Sequence, residues 1–588
     1  MKKGTARLRA SRPWLPFGLN GYFQYTENRE VKMTLSKSNR ILTNGRIYTV
    51  DPRRPWVEAV AMSDGRITAL GSHQEVLPLA EPGAEVVDLG GAMAMPGLID
   101  NHLHILLAGQ IELFTVKFPA SHGLQEILSV VREAAHKTPA GSWIIGNQWG
   151  ADLIAELGTE EALSALDEAS QGLPVMLRDE TAHNRWVNTR AMQLAGISDA
   201  MPDPVDGTFG RDPKSGRLTG IMIEAAAGIV ERAASNDFSV EMAEQSIEHA
   251  VKILNAHGVT SFQEAASTPI INTVLKSLDE RHRLAAWAVT SLPLVEPAVL
   301  PGISGEPLLA MRDEFHSQHV MPNYTKLFLD GVPGAQTAAF HQAYLPDASH
   351  PHGHRGDLLV SLPDMIRWLD RSEELGMGLK VHCAGDAAVS RMLDAVEAVR
   401  HFRGPAKVYH SVAHAGFVQE SDIARFAELG VVADICPVSW FPTTLIEGHA
   451  AVMGRERAER WWPVKSLKES GALVAGGTDW PVIPVPNLWI AIEGLVTREN
   501  PDGSFPGRKL WGDQAVDLST AIEIYTINAA RAMGIDALTG SLQVGKSADI
   551  VVLDRNLFEI PAQQISQTQV VTTYFEGEVV FQRHDRAP

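Results

Sequence analysis

The sequence predicts an α/β protein: a TIM (β/α)8 barrel with a small β-sandwich domain built from both chain ends and a subdomain inserted after the first barrel strand. Three observations favour this fold class. Apolar strand-like runs alternate with amphipathic helical stretches through the middle of the chain, and hairpin-like runs occur near both ends. The stretch between the first two apolar runs of the middle part is too long to be only a connecting loop.

Eight apolar runs in the central part of the chain are the predicted barrel strands. Helical stretches separate them, which is typical of βα units, and a TIM barrel has eight strands. The runs are Pro96 to Asp100, Val259 to Glu264, Ala285 to Thr290, Thr325 to Leu329, Leu379 to Cys383, Val408 to His414, Val431 to Ile435 and Leu473 to Gly476. We therefore predict the barrel over residues 96–535.

Both ends of the chain show short strand-like runs separated by tight turns. Residues 46–50 and 57–62 precede a turn at Asp64-Gly65, and residues 548–553 and 570–575 have the same character. We expect residues 40–95 and 536–588 to form one composite β-sandwich domain. Residues 1–39 are interpreted as a flexible extension, since the apolar piece Trp14 to Leu19 is too short and Pro-broken for a signal peptide. Whether residues 1–32 belong to the functional chain stays open.

The stretch from about residue 108 to 248 separates the first two predicted barrel strands. It is too long for a loop and contains strand-like runs of its own, Trp143 to Trp149 and Pro174 to Arg178. We predict an inserted subdomain. The inserted subdomain would begin at the carboxyl-terminal rim of the barrel, where active sites of this fold lie.

Composition excludes several classes of protein. The 588 residues include 51 Lys and Arg against 70 Asp and Glu, and a net charge of −19 would repel nucleic acid. No apolar stretch approaches the roughly 18 to 20 residues of a membrane span. The only cysteines, Cys383 and Cys436, form neither a disulfide framework nor a Cys-x-x-Cys motif. A cytoplasmic enzyme with no nucleic-acid or membrane partner fits this balance.

His102 and His104 stand two residues apart at the end of the first predicted strand. Residues at this spacing point to the same side of a strand, so two imidazoles would converge on one point. A His-x-His pair alone is as often two unrelated polar residues.

Further candidates lie at or near the ends of other predicted strands. Lys326 is on the fourth, His382 on the fifth, His414 on the sixth, and Asp479 just follows the eighth. Each has a structural alternative by itself, such as a surface lysine or a helix N-cap. Together with the His-x-His pair they would meet at one barrel mouth, and neutral imidazole and carboxylate are the usual nitrogen and oxygen ligands of zinc. The set predicts a metal site.

The ordered motifs resemble the amidohydrolase superfamily, and within it the YtcJ-like branch that includes N-substituted formamide deformylases (amidohydrolase family 3). The likeness extends from about Arg40 onward. The motifs are Pro96-Gly-Leu-Ile-Asp-Asn-His-Leu-His, Lys326-Leu-Phe-Leu-Asp-Gly, Val381-His-Cys-Ala-Gly-Asp, His414-Ala, Gly477-Thr-Asp-Trp-Pro and Gly545-Lys-Ser-Ala-Asp-Ile.

The resemblance implies a set of roles for these residues. His102 and His104 would bind one Zn²⁺ and His382 and His414 a second, with Lys326, carboxylated by CO2, as the bridge. Asp479 would be both a metal ligand and a proton shuttle. An unmodified Lys326 would favour one zinc ion over two, because an ammonium group cannot ligate a cation.

Other residues are weaker candidates. The resemblance suggests that His183 holds the substrate or stabilises an oxyanion, although it could be a structural histidine of the insertion. Asp386 could orient a metal ligand or cap a helix. Trp149, Trp440 and Trp480 are candidates for substrate binding or for the core. If they line the mouth, the substrate carries an apolar or aromatic group.

The expected function is that of a metal-dependent amidohydrolase cleaving an amide or N-substituted formamide C–N bond. Metal-activated hydroxide would attack the carbonyl, and Asp479 would carry a proton to the departing amine. An ester, lactone, carbamate or cyclic imide substrate is the alternative, because the same site would attack each. A non-catalytic barrel scaffold is disfavoured, since every expected ligand type is present. The partner is a small-molecule substrate, and a homodimer is a reasonable expectation.

Overall fold

The computed structural model describes residues 38–234, 238–296, 302–347 and 350–583. Residues 1–37 of the predicted N-terminal extension, and with them the question of residues 1–32, lie outside the described residues. Within the described ranges, every helix falls short of the length and apolarity that crossing a membrane requires.

The N-terminal part of the described chain consists of short strands and one single-turn helix. Its elements are β1 (Ser38–Thr43), β2 (Arg46–Tyr48), β3 (Trp56–Val57), β4 (Ala59–Ser63), β5 (Arg66–Gly71), α1 (His73–Val76), β6 (Ala80–Asp88) and β7 (Met93–Pro96). Four of them form a sheet in the order β5-β4-β1-β6. The turn between β4 and β5 has positive φ at Asp64 and Gly65, as tight hairpin turns require.

The segment after β8 (Leu98–Leu103) forms a sheet of its own. Its strands are β9 (Val116–Lys117), β10 (Ile144–Trp149), β11 (Val175–Asp179), β12 (Asn184–Val187), β13 (Gly207–Arg211) and β14 (Leu218–Glu224), in the order β13-β14-β12-β11-β10-β9. Its helices are α2 (Ile105–Phe114), α3 (Leu124–Lys137), α4 (Ile154–Leu157), α5 (Glu160–Ala169), α6 (Thr189–Leu194) and α7 (Ala225–Ala234). Two clusters of buried apolar side chains lie wholly within residues 116–234, so the segment has a core separate from that of the barrel.

Eight parallel strands form the central sheet. With β8 these are β15 (Val259–Glu264), β16 (Trp287–Pro293), β17 (Val320–Phe328), β18 (Gly378–Cys383), β19 (His410–His414), β20 (Val431–Ile435) and β21 (Val474–Gly476). They follow one another around the sheet in chain order from β8 to β21, and each overlaps one of the eight predicted runs. The predicted TIM barrel is confirmed.

Helices between the strands cover the barrel. They are α8 (Val240–Ala256), α9 (Pro269–Glu280), α10 (Glu306–Leu309), α11 (Leu362–Glu374), α12 (Asp386–Arg403), α13 (Glu420–Leu429), α14 (Thr444–Met453), α15 (Arg455–Ala458), α16 (Val464–Glu469), α17 (Leu488–Thr497), α18 (Leu518–Ile524) and α19 (Ile527–Ala532). Serine side chains that accept a main-chain N–H fix the starts of α8 and α11, at Ser239 and Ser361.

Both chain ends contribute to one further sheet. The last strands are β22 (Ile550–Leu553), β23 (Val570–Phe575) and β24 (Glu578–Gln582), and the sheet order is β24-β23-β22-β7-β2-β3. Buried apolar side chains of this sheet and of the four-stranded N-terminal sheet form one cluster, so the two sheets pack as a small sandwich. The residue boundaries 40–95, 96–535 and 536–588 stay a prediction.

Candidate metal centre

The barrel closes at a seam between β8 and the segment that follows β21. The main-chain N–H of Asp479 donates to the carbonyl of His102 over 2.7 Å, and that of His104 donates to the carbonyl of Trp480 over 2.8 Å. Gly477 permits this approach, because a Cβ there would lie 2.5 Å from the main-chain nitrogen of His102. The seam therefore places the Asp479 side chain beside the His-x-His pair.

His102 and His104 converge on one carboxylate oxygen. Their Nε2 atoms lie 3.6 Å and 3.5 Å from Oδ1 of Asp479. The ring planes are 81° apart, so the two nitrogens approach that oxygen from different directions. The side chains meet as the strand alternation predicts.

His382 and His414 form a second pair. Nε2 of His414 lies 2.8 Å from Nδ1 of His382, and Nε2 of His382 lies 3.1 Å from the carbonyl oxygen of Gly331. The ring of His414 is also 5.2 Å from that of His102, so the two pairs adjoin. Two unprotonated ring nitrogens this close repel each other unless a proton or a cation lies between them.

Lys326 lies on β17, the fourth barrel strand. Only 1% of its surface is exposed. Its Nζ is 4.5 Å from the centroid of the Phe328 ring. Burial, and then the charge of Lys380, lower the pKa of Lys326 to about 8. The neutral amine is therefore far more accessible than in an exposed lysine.

Burial controls the protonation of the histidines. It lowers the pKa of His102 to about 3, with help from Lys380, and that of His414 to about 4, so both rings are neutral and can ligate a cation. His104 differs, because hydrogen bonds to Asp479 and Glu264 outweigh its burial and raise its pKa to about 9. A cation bound here would take the place of that proton.

Asp434 and Lys380 form a buried pair beneath His102. Nζ of Lys380 donates to Oδ2 of Asp434 and to the carbonyl of Asn101, each over 2.6 Å, and the same Oδ2 is 3.1 Å from Nδ1 of His102. Because Nδ1 is held by this carboxylate, Nε2 keeps its lone pair for the mouth of the barrel. Sequence reasoning missed both residues. Each lies on a predicted barrel strand, but only Lys380 is near a predicted ligand in the sequence, two residues before His382.

Three more polar side chains at the rim were also missed. Sγ of Cys436 lies 3.4 Å from Nδ1 of His414, and the ligand atoms of His102, His414, Cys436 and Asp479 all lie within 4.8 Å of one another. Glu264 ends β15, with Oε1 3.5 Å from Nδ1 of His104. Asp330 follows β17, with Oδ1 3.6 Å from Nε2 of His382. The signal was available, since Glu264 ends a predicted strand and the other two directly follow one.

Asp386, predicted as a possible orienter of His382, does not contact that ring among the described residues. It begins α12, and its carboxylate accepts hydrogen bonds from the main-chain N–H of His341 and from the Gln419 side chain. Asp330 instead faces His382, since the loop after β17 folds back over the end of β18.

His183 reaches the centre from the insertion. Its Nδ1 is 2.9 Å from Oε2 of Glu224, whose other oxygen accepts a hydrogen bond from Thr337. The His183 ring lies 5.7 Å from that of His382. Burial opposes protonation, but the charge of Glu224 outweighs it and raises the pKa of His183.

A cavity of about 350 Å³ opens at the centre. All the predicted ligands and His183 line it. Its wall is mostly apolar, with side chains from the insertion, the barrel loops and the helices that follow them, including Leu106, Ile145, Phe238, Ile270, Phe328, Val332, Leu445 and Trp461. This volume is typical of a site for a small organic molecule.

Trp149, Trp440 and Trp480 are not among the residues that line this cavity. Trp149 and Trp440 are fully buried and donate their indole N–H to the carbonyls of Leu177 and Ala491. Trp480 is 1% exposed and pairs with Leu103 at the barrel seam. The aromatic wall expected from these three residues is therefore built from other side chains, because large indoles with a satisfied N–H pack into the core.

The chain belongs to the amidohydrolase family, whose sequence model matches residues 85–581. It is accordingly a hydrolase of carbon–nitrogen bonds other than peptide bonds. An N-substituted formamide deformylase from Arthrobacter pascens is 29% identical over 92% of this chain and 98% of its own length. YtcJ of Bacillus subtilis (strain 168) is 26% identical over 92% of this chain and 98% of its own length.

A crystal structure of an uncharacterized metal-dependent hydrolase from Pyrococcus horikoshii OT3 shares the fold. The TM-score is 0.70 at 24% identity, and the match covers 89% of this chain and 99% of that chain. The fold of most of this chain is therefore shared with that protein.

Proposed function

We propose that this amidohydrolase cleaves the C–N bond of an amide-type small molecule, with N-substituted formamides as the leading substrate class. The observation that carries the proposal is the convergence of His102 and His104 on Asp479 inside a cavity of about 350 Å³. The formamide deformylase named above supports the substrate class, since it aligns along nearly its whole length.

The residues at the barrel mouth fit a divalent cation. His102 and His414 are neutral, and the nitrogens of His382 and His414 face each other as only a shared proton or cation permits. His102, His104 and Asp479 would hold one zinc ion, and His382 and His414 a second. When bound, zinc supplies Lewis acidity that polarises a carbonyl and acidifies a water molecule.

Carboxylation of Lys326 would determine whether the site holds one metal ion or two. Its lowered pKa favours the neutral amine, whose nitrogen attacks CO2 and loses a proton to give an anionic carbamate. That anion would bridge two ions. Without it, a single ion is expected.

Asp479 serves as the proton shuttle. Burial opposes its charge, but the hydrogen bond from His104 helps to hold its pKa well below the ordinary value, so it is a carboxylate at neutral pH. It accepts a proton from the attacking water. It then returns this proton to the departing nitrogen, because an amine anion is a poor leaving group.

His183 binds the substrate carbonyl. Nδ1–H of His183 donates to Glu224, so Nε2 carries a second N–H when the ring is protonated, and that N–H would donate to the oxygen that gains negative charge. The raised pKa of His183 favours this protonated form. The apolar wall receives the rest of the substrate, which we expect to carry an apolar or aromatic group.

Metal analysis and a substrate panel test the proposal together. Protein purified without added metal is analysed for zinc per chain, and then assayed with N-formyl amines, N-acyl amines, esters, lactones, carbamates and cyclic imides. We expect zinc, and turnover of formamides or other amides above the rest. Two ions together with a mass increase of one CO2 on Lys326 would support the bridge. Metal-free protein, or hydrolysis of esters alone, would overturn the proposal.

A further inference from the structure

One part of the cavity wall carries a histidine with an unmet hydrogen-bonding requirement. His449 lies on α14, lines the cavity beside Leu445 and Trp461, and is 2% exposed. Its Nδ1 has no hydrogen-bond partner among the described residues.

Two other buried histidines of the barrel, His410 and His319, have both ring nitrogens paired. His410 binds the main-chain N–H of Leu379 and the carboxylate of Glu373, and His319 binds two carboxylates. A buried polar group without a partner is costly, and His449 lacks the pairing that both of these imidazoles have.

The state of the His449 ring is defined by its surroundings. Burial lowers its pKa to about 3, so the ring is neutral and offers one N–H donor and one lone pair. Trp461 approaches it edge-on at 4.5 Å, and Phe417 lies 6.2 Å away. A planar ring fits such an aromatic wall, and an uncharged polar group fits a neutral imidazole.

This wall is tied to the proposed metal centre. Trp461 stacks on Trp462 at 3.6 Å, and the indole N–H of Trp462 donates to the main-chain carbonyl of His414 over 3.1 Å. A substrate ring bound by Trp461 and His449 would therefore have a fixed position relative to the metal centre and to the bond that is cleaved there.

We infer that His449 and Trp461 form a recognition subsite for a hydroxyl-bearing aromatic ring on the substrate. A hydroxyl both donates and accepts, so it satisfies the imidazole in either tautomer. The inference rests on the proposed amide hydrolysis, because it assigns this ring to the amide that the metal centre cleaves.

Binding measurements test the subsite without turnover. The probes are acetophenone and its 2-, 3- and 4-hydroxy derivatives, ketones without a C–N bond to hydrolyse, titrated into the full-length zinc-loaded protein by calorimetry. The variants are H449F and H449M, which remove both polar atoms, and H449Q, which retains a donor and an acceptor. The thermal midpoint of each variant reports folding.

We expect at least one hydroxy derivative to bind wild type about 3- to 10-fold more tightly than acetophenone, the worth of one net hydrogen bond. H449F and H449M abolish that preference and leave acetophenone affinity within about twofold, and H449Q retains it. Both deletion variants keep or raise the thermal midpoint, because no internal hydrogen bond is lost.

Absence of a preference in wild type, or its persistence in H449F, overturns the subsite. Failure of both H449F and H449M to fold also overturns it, since His449 would then serve the fold. Failure of the proposed function looks different: the binding preference remains and follows His449, yet no amide in the panel is hydrolysed.

Discussion

The main-chain N–H of Asp479 donates to the carbonyl of His102 over 2.7 Å, across the seam where the last barrel strand meets the first. The bond that closes the barrel thus also fixes the distance between the proposed proton shuttle and its two histidines. The position of Asp479 just after the last barrel strand, and not only its residue type, gives it its place in the centre.

Asp479→Asn should reduce kcat/KM by about 10²- to 10⁴-fold, because the amide cannot shuttle a proton. The seam uses the main chain of this residue, so the thermal midpoint should change little. Asp386→Asn is the matched control, since that carboxylate begins α12 and contacts none of the predicted ligands. Equal losses in the two variants would contradict the assignment.

Asp434→Asn should weaken zinc affinity by about 10- to 100-fold, because His102 loses the carboxylate that orients it. It should also destabilise the fold by about 3 to 5 kcal/mol, since Lys380 is left as a buried unpaired charge. Chelator competition measures the first effect and chemical unfolding the second.

The double variant Lys380→Met with Asp434→Leu separates these effects. Removal of both charges should recover most of the stability without recovering zinc affinity. Recovery of the affinity as well would show that the pair acts only on the fold.

Glu231→Gln should destabilise the protein by about 3 to 5 kcal/mol, because Arg178 and Arg185 would keep their charges without a carboxylate. The two guanidinium groups are 3% and 2% exposed and bind Glu231 at 2.8 Å and 2.7 Å. The free energy of unfolding checks the effect, and Glu459→Gln is the control, because that carboxylate is only partly buried. A change below about 1 kcal/mol would contradict it.

Stability should fall between neutral and alkaline pH through His319. Burial opposes its charge, but hydrogen bonds to Asp279 and Glu576 outweigh burial and raise its pKa to about 9, from 6.5. Because the pKa of His319 is raised in the folded state, its protonated ring stabilises the fold fully below pH 6.5. This contribution is lost as the pH rises to about 9. After solvent screening we expect about 1 to 2 kcal/mol.

His319→Gln removes that contribution. Urea midpoints of wild type and variant should therefore differ most at pH 6 and approach each other at pH 9.5. A difference independent of pH would show that His319 acts through packing alone.

Sequence reasoning located the barrel because its apolar runs are regular, and it matched Val259–Glu264 and Val431–Ile435 residue for residue. It misplaced β8, which was predicted to end at Asp100 but continues to Leu103. The polar residues from Asp100 to His102 face the seam and the centre, so the apolar run in the sequence ends before the strand does. Pro322 and Asn323 likewise concealed the start of β17.

The ligand candidates were predictable because they recur at strand ends, whereas their buried partners were not. Lys380 precedes His382 by two residues, whereas Asp434 lies on the seventh strand, which carries no candidate. The sequence does not show that these two side chains pair between strands. His449 lies on α14 and Trp461 lies in the loop between α15 and α16, both beyond the seventh strand. Only the folded chain brings them to the cavity that Trp149 and Trp440 were expected to line.

The seam has a consequence for synthesis. Thr478 binds Asp100, a residue 378 positions earlier in the chain. During translation His102 and His104 leave the ribosome long before Asp479 is synthesised. Until then, the edge of the first strand that faces the seam remains unpaired. A zinc ion captured by the nascent chain would thus meet two imidazoles without their carboxylate, so we expect metal loading to follow completion of the barrel.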